Sequence, residues 1–307
     1  MRKVFVFIIC TILIVVVCDV LVGWASVNYV KSHSLPGRYE PLDRLIRQVE
    51  PDVLLLGNSV MQSAIDPEIV ESNTTMSCYN GGILGQDVRF FETMLDCVCQ
   101  RYTPKYVVLG FRPEELGEGV GDGLYDVLRP YYHTGYPAID EHFDREAPTE
   151  KFLLQSSLYR FNIIWVRILL YSLFDHTDYN TNGFNGLGVP AVLPSMQEIR
   201  WVDMPVKRKL DTLESMMAKC QSRGTRMVVC IPPALMHFPG DSLPCVSAVK
   251  QLCVRYGVDC WIDYADPEFL AEPSLFADNV HLNVNGAKKY SQIIASRLAH
   301  FAGMESQ

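Results

Sequence analysis

The chain has 307 residues, 49% hydrophobic and 20% charged, a globular balance that excludes a disordered or collagen-like polymer. Its 27 Lys and Arg against 35 Asp and Glu leave a formal charge of -8. A surface of that sign repels phosphates and no Lys/Arg-rich run offsets it, so a nucleic-acid partner is set aside.

Met1-Arg2-Lys3 precedes an uncharged run from Val4 to Cys18. Asp19 interrupts it, and Val20 to Val30 continues uncharged through Trp24 and Tyr29. A bilayer span needs about 20 apolar residues, so residues 4–30 are long enough to cross if Asp19 sits near the outer interface. One reading is a cleaved signal peptide with Gly23-Trp24-Ala25 as its cleavage site, leaving a secreted chain. The other is an uncleaved anchor, favoured by the length of the run and by Trp24 and Tyr29 as interfacial aromatics. Either places the rest of the chain outside the cytoplasm, in the periplasm or at the cell surface. Eight of the ten cysteines follow this segment, an even number that suits disulfides in an oxidising compartment and equally suits buried thiols. No Cys/His spacing of the zinc-binding kind occurs, and neither metal nor cofactor is expected.

Residues 31–50, with Pro36, Gly37 and Pro41, read as a linker followed by a short helix. Asp52-Val-Leu-Leu-Leu-Gly57 is a short apolar run of the kind buried on both faces of a parallel sheet. Pro67–Ser72 predicts a helix, Asn80–Gly85 a glycine-rich turn, Val88–Tyr102 a helix and Lys105–Gly110 a second buried strand. From Lys209 the alternation resumes: a helix to Ser222, a strand Arg226–Ile231, a helix Val246–Tyr256, a strand Val258–Ile262 and a last helix Gly286–Phe301. Alternating strands and helices predict a three-layer α/β domain over 51–301, its parallel sheet built of right-handed crossovers. Residues 117–205 break this rhythm. They are rich in aromatic residues, Asn and Gly, with an apolar helix at Phe161–Phe174 and a loop-like Asn180–Pro194, and read as an insertion at the strand ends.

Three segments carry residues fit for acyl chemistry. Ser59 follows the strand-ending Gly57 by two residues, so its hydroxyl lies at the carboxyl edge of the first strand, where a starting helix aims N–H groups at any oxyanion. Asp278-Asn-Val-His281 lies just before the last helix; an Asp three residues before a His can hold the imidazole that takes a proton from Ser. His133, His176 and His237 lack such an acid in the sequence. The Asn80–Gly85 turn can present N–H groups to a reacting carbonyl. Taken singly, these segments also read as a helix cap, an N-terminal helix turn and a tight turn.

In this order, Gly-x-Ser near the start, Asn-x-Gly-x-x-Gly roughly 20 residues later and Asp-x-x-His near the end, the chain resembles the SGNH/GDSL hydrolase family over residues 51–301. The resemblance implies a flavodoxin-like α/β/α sandwich with a parallel sheet, and a Ser–His–Asp triad acting on esters. Carried over, Ser59 is the nucleophile, His281 the base, Asp278 its orienting acid and Gly85 the oxyanion-hole glycine. Two departures stand out. Gly57-Asn58-Ser59 replaces the usual Gly-Asp-Ser, and Gly110-Phe-Arg112-Pro113 stands where the family has Gly-x-Asn-Asp, whose Asn completes the oxyanion hole. Arg112 is a substitute donor or an ion-pair partner of Glu114 or Glu115. The plan of one anchor and an SGNH domain without that Asn is similar to membrane-anchored proteins that O-acetylate polysaccharides. It implies an acyl-ester or glycan substrate and a membrane protein as acyl donor. The aromatic residues of the insertion, Tyr131, Tyr132, Tyr136 and Trp165, suit stacking on sugar rings or plain packing. A scaffold without activity that binds a glycan or a membrane partner is the alternative.

Overall fold

The structure is a computed structural model that describes residues 1–117, 125–174, 182–198, 204–237 and 243–303. His176 and parts of the expected insertion lie outside the described residues. Along the chain run α1 (Arg2–Ser32), α2 (Glu40–Arg47), β1 (Val53–Gly57), α3 (Ser59–Ala64), α4 (Pro67–Thr74), β2 (Cys78–Asn80), α5 (Val88–Cys99) and β3 (Tyr106–Gly110). Then come α6 (Pro137–Glu146), α7 (Pro148–Leu153), α8 (Ser157–Phe161), α9 (Ile164–Leu173), β4 (Gln197–Glu198), α10 (Lys207–Arg223), β5 (Arg226–Ile231) and β6 (Met236–His237). The last are α11 (Pro244–Tyr256), β7 (Asp259–Ile262), α12 (Pro267–Leu270) and α13 (Val284–Phe301).

The main sheet is five-stranded, ordered β2-β1-β3-β5-β7, with every neighbouring pair parallel. Counted within the sheet this is the flavodoxin-like order, which reverses between β1 and its two neighbours. The strands are apolar without a break because both faces are covered. Val53, Leu55, Val108, Val228 and Cys230 share one core with Met61, Tyr290, Ile294 and Leu298, so α3, α4 and α13 cover one face. The alternate residues Leu54, Leu56, Val107, Leu109 and Val229 are as fully buried, and by the two-residue period they face the opposite layer. There α5, α10 and α11 pack together. The expected strands and helices are all present. β2 was not expected, because three residues are too few to show alternation.

The chain sorts into two compact units, Met1–Arg44 with Tyr125–Thr177 and Leu45–Leu124 with Asp178–Gln307. The short helix expected after the linker is α2, in which Leu42, Leu45 and Ile46 repeat at helical spacing and are wholly buried. The second half of the expected insertion belongs with the sheet: Asn80 N–H donates to Asn182 O, Asn185 N–H to Gln62 O and Val284 N–H to Leu187 O. In the first unit Tyr131 and Tyr132 are fully buried, and the Tyr131 hydroxyl donates to buried Asp43. No disulfide is formed among the described cysteines.

One backbone feature aims the chain out of the sheet. Gly57 ends β1 beside Gly110 of β3, with φ +152°, and a Cβ on it would stand 2.3 Å from Gly110 O and 2.7 Å from Met61 Cβ. Only glycine lets the strand turn directly into α3 here. Gly57→Ala is expected to destabilise the protein by about 1–3 kcal/mol, the usual range for a forced overpacked contact, seen as a lower thermal unfolding midpoint. An unchanged midpoint would show that the turn tolerates a side chain.

Candidate active site

The loops that leave the carboxyl ends of β1, β3, β5 and β7 meet at one edge of the sheet, as in other parallel α/β folds. A hollow there is lined by Val60, Arg112, Ile231, Pro232, Tyr264 and Val280, among others. Asn58 is the N-cap of α3, its side-chain oxygen accepting from Val60 N–H. Asn80 is wholly buried and donates to Met61 O and Ile65 O, while its own oxygen accepts from Gly82 N–H. The glycine-rich turn is thereby tied to α3, which carries Ser59 as its first residue.

Ser59 Oγ lies 2.9 Å from His281 Nε2. On the other side of the ring, His281 Nδ1 is 2.8 Å from Asp278 Oδ2 and 3.0 Å from Oδ1. Asp278 is itself aimed by the N–H groups of Val280 and His281, which donate to Oδ1 at 2.8 and 2.9 Å. Partial burial raises the Asp278 carboxyl, but the His281 hydrogen bond, the Val280 N–H and the His281 charge outweigh it and bring it down to about 2. An ionised Asp278 holds the proton on Nδ1 and leaves Nε2 free to accept from the Ser59 hydroxyl. The N–H groups of Ser59 and Gly85 have no hydrogen-bond acceptor among the described residues. That leaves both available as donors.

Arg112 caps the turn Pro113–Leu116 and pairs through Nη2 with Glu114 Oε1 at 2.8 Å, while its buried Nε makes no hydrogen bond among the described residues and lies 3.8 Å from Glu115 Oε1. Glu115 is 3% exposed and accepts from Asn58 Nδ2 and from Arg112 N–H. Burial pushes its carboxyl up to about 8, against the lowering effect of the Arg112 N–H and charge. Lys209, also buried, donates to Glu115 O and Gly117 O and so pins the turn. The partnership of Asn58 and Glu115 was not visible in the sequence, where the two are 57 positions apart. His133 pairs with Asp140, Nδ1 3.2 Å from Oδ2, an acid seven residues away and not one turn. Of the two uses left open for the aromatic residues, packing holds for Tyr131 and Tyr132, both of them core residues.

Glu115 also shapes stability. Its folded-state value lies above the ordinary 4.5, so the folded chain holds a proton that the unfolded chain releases between about pH 4.5 and 8. Stability therefore falls as pH rises through that window, and Glu115→Gln should flatten the fall in thermal midpoints measured from pH 5 to 8. Asn58→Asp keeps the helix cap but sets a second carboxylate against Glu115. A loss of about 2–4 kcal/mol at pH 8 is expected, from burying a charge without a partner. Adding Glu115→Gln should restore most of it; no rescue would mean that the two side chains act independently.

No protein-family model and no curated protein matches the chain. Among solved structures it is similar to an acetyl xylan esterase, AlAXEase, at 13% identity and TM-score 0.40, covering 81% of this chain and 98% of that one. A lipase/acylhydrolase from Enterococcus faecalis is similar at 12% identity and TM-score 0.41, over 81% of this chain and 96% of that one. The psychrotrophic esterase EstA from Pseudoalteromonas sp. is similar at 12% identity and TM-score 0.40, over 82% and 97%. By its own strand order, its parallel crossovers and the sheet edge where its loops gather, the chain has a flavodoxin-like α/β/α sandwich, the fold that its resemblance to the SGNH hydrolases implies.

Proposed function

We propose that this chain is a serine-dependent acyl-ester enzyme of the SGNH kind, held at a membrane by α1 and working outside the cytoplasm. Its substrates are O-acyl, chiefly acetyl, groups on cell-surface glycans, removed as an esterase or moved as an O-acetyltransferase. The observation that carries the reading is the unbroken hydrogen-bond line from Ser59 through His281 to Asp278.

In the proposed reaction His281 Nε2 takes the Ser59 proton as Oγ attacks the acyl carbonyl. The carbonyl becomes an oxyanion facing the N–H groups of Ser59 and Gly85, and the Arg112 guanidinium is a third donor in place of the absent Asn. Collapse expels the alcohol, which leaves with the proton from His281, and an acyl-Ser59 ester remains. Water or a sugar hydroxyl then attacks that ester, giving its proton to His281, and releases Ser59. The small apolar walls of the hollow, Val60, Ile231, Ala234 and Val280, suit a short acyl chain. The reading of the partners, a glycan acceptor and a membrane protein that delivers the acyl group, rests on the resemblance of the overall plan.

The test uses the full chain in detergent with p-nitrophenyl acetate, following p-nitrophenol release and acetylated products with and without a surface oligosaccharide. Ser59→Ala and His281→Ala should reduce turnover to background, and Asp278→Asn should cost about 10²–10⁴-fold through the wrong tautomer. Ser59-dependent formation of acetylated sugar identifies a transferase, and acetate alone an esterase. Release that is independent of Ser59 would overturn the proposal in favour of an inactive scaffold.

Arg112 is tested separately. Arg112→Ala should lower kcat by about 10²–10³-fold, the cost of one oxyanion donor. A loss confined to thermal stability would make it only the partner of Glu114.

A further inference from the structure

α1 is a single helix of 31 residues whose exposed side is apolar from Val4 to Trp24 and turns polar at Asn28 and Lys31. Val4–Cys18 alone is about 22 Å long at 1.5 Å per residue, short of the hydrocarbon core of about 30 Å. A full crossing therefore takes in Asp19 to about Gly23, with Trp24 at the boundary. Asp19 then lies within the hydrocarbon layer, where an unpartnered carboxylate is costly.

The structure gives Asp19 its partners. Ser156 Oγ donates to Oδ1 at 2.7 Å, Leu158 N–H to Oδ1 at 2.8 Å and Ser157 N–H to Oδ2 at 3.1 Å. Asp19 thus closes the amino end of α8. Gly23, one turn further along, is buried so closely that a Cβ on it would stand 2.2 Å from Ser157 Oγ. Ser26 accepts from Trp165 Nε1 at 2.8 Å, and the Tyr29 ring lies against Trp165. Asp19, Gly23, Ser26 and Val30 form one stripe at helical spacing, and the small residues on it allow close approach. Whatever packs on Asp19 and Gly23 shares their depth.

The helices on either side of α8 in the chain, α7 and α9, turn apolar side chains outward. Phe152 of α7 is 76% exposed, and on α9 Val166, Leu169, Leu170 and Leu173 make an exposed stripe at i, i+3, i+4 and i+7, followed by Phe174. That is the reverse of a helix facing water. We infer that α7–α9 are seated in the lipid leaflet around the carboxyl end of α1, so that the membrane-held part of the protein is α1 together with this segment. The inference rests on the reading of α1 as a membrane anchor. Lipid is the occupant because α8 is held at the depth of Asp19 and α9 starts beside it, with Trp165 against Ser26 and Tyr29 where the lipid-facing run of α1 ends.

The test places a photo-crosslinking benzoylphenylalanine, one site at a time, at Val16, Phe152, Leu169 or Glu141 in the full chain. Val16 lies on the exposed side of α1, and Glu141 is an exposed residue of α6. The protein is irradiated in nanodiscs containing phospholipid and no other membrane protein. The lipid mass shift is expected at Val16, Phe152 and Leu169 and absent at Glu141. A shift at Val16 without one at Phe152 and Leu169 overturns the inference and leaves the anchor standing. No shift at Val16 overturns the anchor reading itself. In native membranes, adducts of Phe152 and Leu169 with a protein in place of lipid would overturn the inference in favour of a protein partner. All four sites are exposed, so misfolding does not confound the comparison.

Discussion

Ser59 and His281 are 222 positions apart and meet across 2.9 Å, a contact that depends on every strand of the sheet running the same way. In a parallel sheet all carboxyl ends lie on one edge, so loops distant in the chain converge there without any long-range pairing of their own. The order of the strands reverses around β1, and the turn after it faces a crevice left by its neighbours. β1 and β3 end in register at Gly57 and Gly110. With no side chain on either, α3 starts at once and Ser59 is held by a short, doubly tied helix. Asn58 caps the start of that helix, and Asn80 binds the carbonyls of Met61 within it and of Ile65 just after it.

Position 58 shows how a departure from a family pattern is absorbed. Asp and Asn cap helices about equally well, so capping does not explain the exchange. The Nδ2 donor does, because it points at Glu115, a carboxyl buried between the β3 loop and α3. An acid at 58 would leave two carboxyls sharing one dry site, and one of them would have to stay protonated. The residue that looks like a change beside the nucleophile is better read as the donor half of a buried pair. Its acceptor half lies in the same β3 loop that has lost the usual Asn.

Strand and helix alternation made the sandwich legible in the sequence, since fully buried parallel strands appear as short unbroken apolar runs, such as Val53–Leu56 and Val107–Leu109. The spacing of Asp278 and His281 was legible for a similar reason: three residues is the reach of one local turn. What stayed hidden was non-local or too short. β2 is a three-residue strand, defined by its pairing with β1 and not by its own pattern. The pairing of Asn58 with Glu115 and of His133 with Asp140 depends on how loops are folded. Aromatic richness in 117–205 was ambiguous, because Tyr suits a sugar platform and a core alike. Full burial of Tyr131, with its hydroxyl on Asp43, decides for the core.

The same distinction bears on the amino-terminal helix. Length and apolarity cannot separate a signal peptide from an anchor, since both need only to enter the bilayer. Packing separates them better. A signal peptide is discarded and has no reason to fit the mature chain, whereas the stripe Asp19, Gly23, Ser26 and Val30 is matched to α8 and Trp165 group by group. Cleavage after Ala25 would remove the carboxylate that closes the amino end of α8 and uncover the surface against which Ser157 lies. The apolar segment therefore has two faces, an exposed apolar one that the proposed anchor turns to lipid and one matched to its own protein, and the second is what a discarded signal would lack.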